Sequence, residues 1–403
     1  MSSIIGIVLL LLVAFALSSN RKLINWRTVG GAFLIQAGIG AFILYSEPGI
    51  QMLLSLSEFV KNIISYSQQG IDFIFGPVGN QSLGFIFAFN VLPVIIFFSS
   101  LIAVLYHLGI MSWIIRIIGG ALQWMLKTSR PESMSAAANI FVGQTEAPLV
   151  VRPFIPQMSR SELFAVMVGG LASIAGSVMA GYAGLGVEIK YLLAASFMAA
   201  PGGLLMAKLM QPEEAKVHNQ LEEVNDDQTS YANVFDAAAS GASSGLQLAL
   251  NVGAMLLAFV ALIALLNGLI GWGGSLFGYE NLTFQMILGF LLQPLAWAIG
   301  IPWEEARLAG SFIGQKVVVN EFVAYLDFIQ YKDQLSAGSQ AIITFALCGF
   351  ANLSSIAILM GGIGAMAPTR RKEIAQLGLK AVIAATLANL MSASLAGLFL
   401  SLG

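Results

Sequence analysis

Two carboxylates, Glu146 and Glu321, stand in stretches that are otherwise apolar, and each follows a short run of polar neighbours: Asn139, Gln144 and Thr145 before the first, Gln315, Lys316 and Asn320 before the second. An acid in such surroundings is costly to desolvate and is usually retained for function. Carboxylates accept hydrogen bonds from hydroxyls, and amides both donate and accept. With Asn352 and Ser355 from a third polar interruption, these groups suit a neutral, polyhydroxylated ligand. No buried arginine fork is offered for a phosphate or carboxylate. The competing reading is structural, with the acids paired to Arg152 or Lys316 and the uncharged groups bonding between helices. A membrane-embedded enzyme using the two acids as an acid/base pair is a rival of another class. Against it, the chain has no His-Glu-x-x-His, no Gly-x-Ser-x-Gly, and only the well-separated His107 and His218.

The surroundings of these residues set the fold class. Of 403 residues, 57% are apolar and 10% charged, 19 basic against 21 acidic, whereas soluble domains carry about a quarter charged. Charge-free stretches such as Ala237 to Tyr279 and Gln334 to Thr369 meet or exceed the roughly 20 residues a helical span needs. The sequence therefore predicts an all-α polytopic membrane protein, excluding a soluble enzyme, a nucleic-acid binder and a disulfide scaffold. Cys348, the one cysteine, reads as a small core residue. Long, unalternating segments containing 42 glycines exclude an outer-membrane barrel and suit close helix packing.

Eight spans are expected: Met1 to Asn20, Thr28 to Ser46, Ser82 to His107, Leu163 to Gly186, Tyr191 to Ala207, the first half of Ala237 to Tyr279, Phe345 to Met366, and Lys380 to Leu402. The basic flank of the first span follows it, unlike a cleavable signal, so the N-terminus is expected outside. Pro48 to Pro77, with Glu58, Lys61 and Asp72 spaced among apolar residues, reads as an amphipathic interfacial helix. On this topology fourteen basic residues fall inside and five outside, a clear positive-inside bias. Ser135 to Ile155 and Leu282 to Leu326 are apolar but interrupted by polar residues. Irregular backbone at membrane depth must be buried or line a wet cavity, so both are expected to be re-entrant hairpins with tips near the midplane.

The chain also repeats itself. Asn90-Val91 answers Asn251-Val252 at an offset of 161, with Ser82 and Gly84 before them answering Ser243 and Gly245. Phe141-Val142-Gly143-Gln144 answers Phe312-Ile313-Gly314-Gln315 at 171, and Ser173, Met179 and Gly181 answer Ser354, Met360 and Gly362 at 181. Three crossings per half is odd, so the second half is inverted, the construction of many secondary transporters. The expected organisation is an N-terminal scaffold part (1–81), a first repeat (82–210), an acidic cytoplasmic linker (211–236) and a second repeat (237–403).

Gly143-Gln144-Thr145-Glu146-Ala147-Pro148-Leu149, Val319-Asn320-Glu321-Phe322-Val323-Ala324-Tyr325 and the run from Phe345 to Ser355 resemble the signature segments of the concentrative nucleoside transporters. The likeness extends over essentially the whole chain, which looks like a bacterial member without the extra N-terminal spans of larger eukaryotic relatives. The resemblance implies a homotrimer in the inner membrane, in which a transport part moves against a scaffold of spans one, two, three and six and nucleoside uptake is driven by a cation gradient. It implies a substrate site of Gln144 and Thr145 at the base, Glu146 through water, Val178 packed against the base, Glu321, Asn352 and Ser355 on the ribose, and Phe350 shaping the pocket. It implies a sodium site at Asn139, Val142, Ser173 and Ile174. Pyrimidine nucleosides such as uridine are the expected substrates. Proton coupling through Glu146 or Glu321 is the alternative.

Overall fold

The computed structural model describes residues 2–79, 84–214, 231–279 and 281–402, and among them there is helix and no strand. The N-terminal part is α1 (Ser2–Ala16), α2 (Trp26–Tyr45) and α3 (Glu47–Phe75). Asn25 starts α2 by accepting from the Arg27 and Thr28 amides, which would otherwise be orphaned. Only Gly49, Leu53, Ser67 and Ile71 of α3 are buried, in keeping with the interfacial helix expected over Pro48 to Pro77.

The first repeat runs α4 (Phe87–Asn90), α5 (Leu92–His107), α6 (Ile110–Leu126), α7 (Arg130–Ala138), a 3-10 segment (Ala147–Gln157), α8 (Arg160–Ala172), α9 (Gly176–Gly184) and α10 (Ile189–Met210). The second runs α11 (Val234–Ser275), α12 (Phe284–Ala298), α13 (Trp303–Val318), α14 (Glu321–Tyr331), α15 (Ala337–Leu347), α16 (Ser355–Met366) and α17 (Arg371–Leu402). The order is the same in both: a long helix, a flanking helix, a hairpin, a broken span and a closing span. Among the described residues, six helical stretches are long and apolar enough to cross a bilayer. The short α1 and the broken pair α15/α16 complete the eight expected.

Several boundaries differ from expectation. The third span starts at Phe87; its expected start, Ser82, lies outside the described residues, as do Lys216, His218, Glu222, Glu223, Asp226 and Asp227 of the acidic linker. The sixth span is a single helix of 42 residues, about 63 Å at 1.5 Å per residue, and so extends well past a hydrocarbon core of roughly 30 Å. The second hairpin is α13 and α14, not Leu282 to Leu326. Residues from Phe284 to Ala298 form a separate helix, bent from α13 by 116°. The repeat offset must change accordingly. The tip acids Glu146 and Glu321 are 175 apart, and α8 and α15 end at Ala172 and Leu347, also 175 apart. Matching Phe312 to Gln315 with the first tip placed a helical stretch opposite a turn.

Small residues bring the long helices together. Along α11 the buried positions Ala237, Gly241, Gly245, Ala249, Val252 and Leu256 form one stripe. A methyl group on Gly245 would lie 2.8 Å from the Ile96 Cα of α5, so the two backbones touch there, as small residues at four-residue spacing allow. The closing helices α10 and α17 are buried along most of their length and pack on α1, α2, α8 and each other. Beneath the first hairpin, capping boxes at Ser129/Glu132 and Ser159/Glu162 start α7 and α8. Lys208 of α10 pairs there with Glu132 and donates to Ser161 at 2.9 Å.

Candidate substrate and ion site

Four interruptions of helix converge. The first hairpin turns over 139–146, the second over 319–320, and the broken spans open at 173–175 and 348–354. Backbone hydrogen bonds join them in series. The Gly176 amide donates to the Phe141 carbonyl at 2.9 Å, the Phe350 amide to the Ser173 carbonyl at 3.2 Å, and the Leu353 amide to the Val317 carbonyl at 3.1 Å. The chain therefore runs tip, break, break, tip. A methyl group on Gly176 would lie 3.0 Å from the Phe141 oxygen, so glycine is what lets the first tip approach α9 so closely. These bonds satisfy polar backbone that lipid could not.

A cavity opens between these elements and α11. All of Gln144, Thr145, Glu146, Val178, Glu321, Phe350, Asn352 and Ser355 line it. Glu321 is fixed from two sides: the Tyr182 hydroxyl donates to its Oε1 at 2.9 Å and the Asn352 amide to its Oε2 at 3.0 Å. Asn352 Oδ1 in turn accepts from the Ser354 hydroxyl at 2.7 Å and the Ser355 amide at 2.9 Å. Asn320 caps α14 by accepting from Val323 at 2.9 Å, which sets Glu321 on the first turn facing the cavity. Gln144 donates to the Ser355 hydroxyl at 3.3 Å, while its buried Oε1 has no partner. Glu146 Oε2 accepts from the Gly143 amide at 3.1 Å, and the residue is otherwise exposed to the cavity.

The opposite wall is apolar: Leu248, Val252, Met255 and Leu256 of α11, with Phe322 and Ile358 at its edges. The cavity thus offers hydroxyl and amide acceptors on one side and a greasy face on the other, as a flat ring bearing a polyhydroxylated group requires. Neither acid is held in a structural ion pair: among the described residues no Lys or Arg lies within salt-bridge distance of Glu146 or Glu321. Lys316 bonds the Ala346 carbonyl at 2.9 Å, and Gln315 bonds Asp327 at 2.6 Å outside the cavity. Tyr182 and the α11 residues were missed in sequence, because an apolar or aromatic residue among many others carries no local signal.

The predicted ion ligands are fully buried and close together. Asn139 and Ser173 both touch Gly169: a methyl group there would lie 3.1 Å from Asn139 Nδ2, and Ser173 Oγ donates to the Gly169 carbonyl at 3.0 Å. Asn139 Nδ2 is spent on the Ser135 carbonyl at 2.9 Å, which leaves its Oδ1 buried and without a partner. Neither the Val142 nor the Ile174 carbonyl receives a loop hydrogen bond among the described residues. Buried unpaired oxygens are rare and call for an explanation. Hard oxygen donors at the C-terminal end of a half-helix fit an alkali cation. This set fits sodium, and Asn139, Val142, Ser173 and Ile174 are the residues that would hold it.

Residues 191–397 match the family model described as Na+ dependent nucleoside transporter C-terminus, residues 5–78 that of its N-terminus, and residues 88–188 a model described as nucleoside recognition. The chain is 59% identical to an uncharacterized transporter of Haemophilus influenzae, covering 100% of this chain and 98% of the relative. It is 51% identical to the nucleoside permease NupC of Helicobacter pylori, over 99% and 98% of the two chains. Among solved structures it superposes on CNTnw in an inward-facing, substrate-bound state with a TM-score of 0.96 and 58% identity, over 100% and 98% of the two chains.

Proposed function

The chain belongs to the Na+-dependent, concentrative nucleoside transporter family, a family of multi-pass membrane transporters and not of enzymes, and from that premise we propose that it is a sodium-coupled nucleoside importer of a bacterial inner membrane. Pyrimidine nucleosides such as uridine are its substrates, and it works as a homotrimer. Glu321, Asn352 and Ser355 take the ribose hydroxyls. Gln144 and Thr145 pair with the base edge, Glu146 reaches it through water, and Val178 and Phe350 pack against it. Sodium binds at Asn139, Val142, Ser173 and Ile174. The observation that carries this reading is the bonded series of tips and breaks: one rigid unit contains both the ligand-facing side chains and the unpaired Asn139 oxygen.

Coupling follows from that sharing. Residues 139–146 hold the ion ligands Asn139 and Val142 as well as Gln144 to Glu146, so a cation that orders the turn also orders the base contacts. Each ligand then favours the other to the same degree. The organisation proposed is the one expected from sequence: an N-terminal part (1–81), a first repeat (82–210), a linker (211–236) and a second repeat (237–403). The two hairpins and broken spans move as a unit against a support that includes α3, α5 and α11. The scaffold expected from sequence, spans one, two, three and six, also includes α1 and α2, which pack on α10 and α17. Proton coupling is disfavoured by Asn139, whose free oxygen would be left unsatisfied by a proton on either acid.

The test is uptake of labelled uridine into proteoliposomes. Uptake is expected to collapse when sodium is replaced by choline at constant pH, and the accumulated label is expected to be unchanged uridine. Undiminished uptake in choline would remove the sodium assignment. Conversion of the nucleoside would remove the transporter reading itself.

A further inference from the structure

Lys316 has no part in the site described above, yet it is almost completely buried, with 1% of its surface exposed. Its ammonium donates to the Ala346 carbonyl at 2.9 Å and to Asn389 Oδ1 at 2.6 Å, and among the described residues no carboxylate lies within salt-bridge distance. The Asn389 amide donates onward to the Ala172 carbonyl at 2.6 Å and the Cys348 carbonyl at 2.9 Å. Ala172 ends α8, and Ala346 and Cys348 stand at the end of α15. One lysine and one asparagine thus serve the carbonyl ends of both broken spans. A methyl group on Gly349 would lie 2.4 Å from Asn389 Oδ1, so this arrangement occupies the break itself.

The two ends are equivalent in the repeat. With the offset of 175 that aligns Glu146 with Glu321 and the end of α8 with that of α15, Ser173 and Ile174 correspond to Cys348 and Gly349. The first pair carries the oxygen set that fits sodium; at the second, Asn389 takes the Cys348 carbonyl and Lys316 the Ala346 carbonyl two residues earlier, both at the end of α15. The carbonyl end of a half-helix is negative and favours a cation, and in inverted-repeat transporters such ends coordinate the driving ion. We infer that Lys316 is a built-in cation: its ammonium serves the carbonyl end of α15 in the second repeat as sodium serves that of α8 in the first. The protein consequently couples one sodium to each nucleoside, and Asn389 ties the two cation positions together.

This rests on the sodium-coupled reading above, and the experiment separates the two. In unmodified protein the ratio of labelled sodium to uridine entering proteoliposomes is expected to be one; a ratio of two would overturn the inference, because the second cation place is then not taken by Lys316. If unmodified protein needs no sodium at all, the coupling reading falls and this one with it. Lys316→Ala opens the second position. It is expected to lose uridine uptake at the sodium concentration that saturates the parent, and to regain it at higher sodium with a Hill coefficient rising from one toward two. Methylammonium at the original sodium concentration is expected to restore it as well. Lys316→Met, which fills the volume without charge, is expected to stay inactive under both treatments. Unchanged uptake in Lys316→Ala, rescue of Lys316→Met, or a folded Lys316→Ala that neither cation restores would each overturn it. Should Lys316→Ala not assemble, the flux ratio of the unmodified protein still decides.

Discussion

Glu321 is the residue whose setting says most about its use. Both carboxylate oxygens already accept one bond each, from Tyr182 and from Asn352, yet each retains lone pairs, so the side chain is aimed and held while still able to receive two hydroxyls. Glu321→Gln keeps the shape but replaces one acceptor oxygen by a donor facing a donor. Hydrogen bonds to a charged group are worth about 1.5–3 kcal/mol, so uridine affinity measured by calorimetry is expected to fall roughly ten- to hundred-fold. Tyr182→Phe removes one of the two supports without touching the ligand. Its cost is that of a single hydrogen bond, up to about tenfold, and an unaltered affinity would mean that Asn352 alone orients the acid. The acids and amides were legible in the sequence because each is a chemical exception among apolar residues. Tyr182 was not, because its importance lies in a partner 139 positions away.

The elements that carry these residues are held by two different devices. Between α5 and α11 the device is absence of side chain: Gly241 and Gly245 approach Ser99 and Ile96 closely enough that an added methyl would overlap backbone. Gly245→Leu is therefore expected to abolish uptake by forcing the two long helices apart, whereas Gly268→Leu on the same helix, where a methyl group meets nothing, is expected to be tolerated. Beneath the first hairpin the device is charge. Lys208 and Glu132 are both buried and paired, and removing one partner strands the other at a cost of about 3–5 kcal/mol. Lys208→Met should lower the melting temperature of the detergent-solubilised protein sharply, and Lys208→Met with Glu132→Leu should recover most of the loss, since an apolar replacement for both ends removes the stranded charge. If the double variant is no more stable than the single one, the pair contributes specific hydrogen bonds rather than mutual neutralisation. At this scale the sequence was legible in outline. Apolar length gave the spans and polar interruption gave the hairpins. What length alone does not reveal is whether an apolar segment crosses, flanks or doubles back, which is why Phe284–Ala298 was merged into the second hairpin. The glycine-rich stripe of α11 likewise gave no sign of where that helix would end.

Taken as a whole, the molecule sets a polar, hydrogen-bonded unit of tips and breaks against an apolar face of α11, and this asymmetry bears on how substrate could cross. Polar contacts to a ligand are directional and belong to the unit that carries it, while the α11 face of Leu248, Val252, Met255 and Leu256 makes no directional bond that would hold the unit at one height. The helix is about 63 Å long by its 42 residues at 1.5 Å each, and from Val252 to Ile270 its one polar side chain is Asn267. Movement along it then exchanges one apolar contact for another with little change in energy, which an alternating-access step needs if the ligands are to bias it. If α11 is that wall, a cysteine replacing Met255 should react with a membrane-impermeant maleimide, and saturating uridine with sodium should slow the reaction by covering it. Leu257, on the other side of the same helix and exposed on the outer surface, should give a cysteine indifferent to uridine. The native Cys348 is buried and sets the background. Equal labelling of the Met255 cysteine with and without uridine would mean that the nucleoside does not pass along α11, and the moving-unit reading would have to be abandoned even with the binding residues correctly assigned.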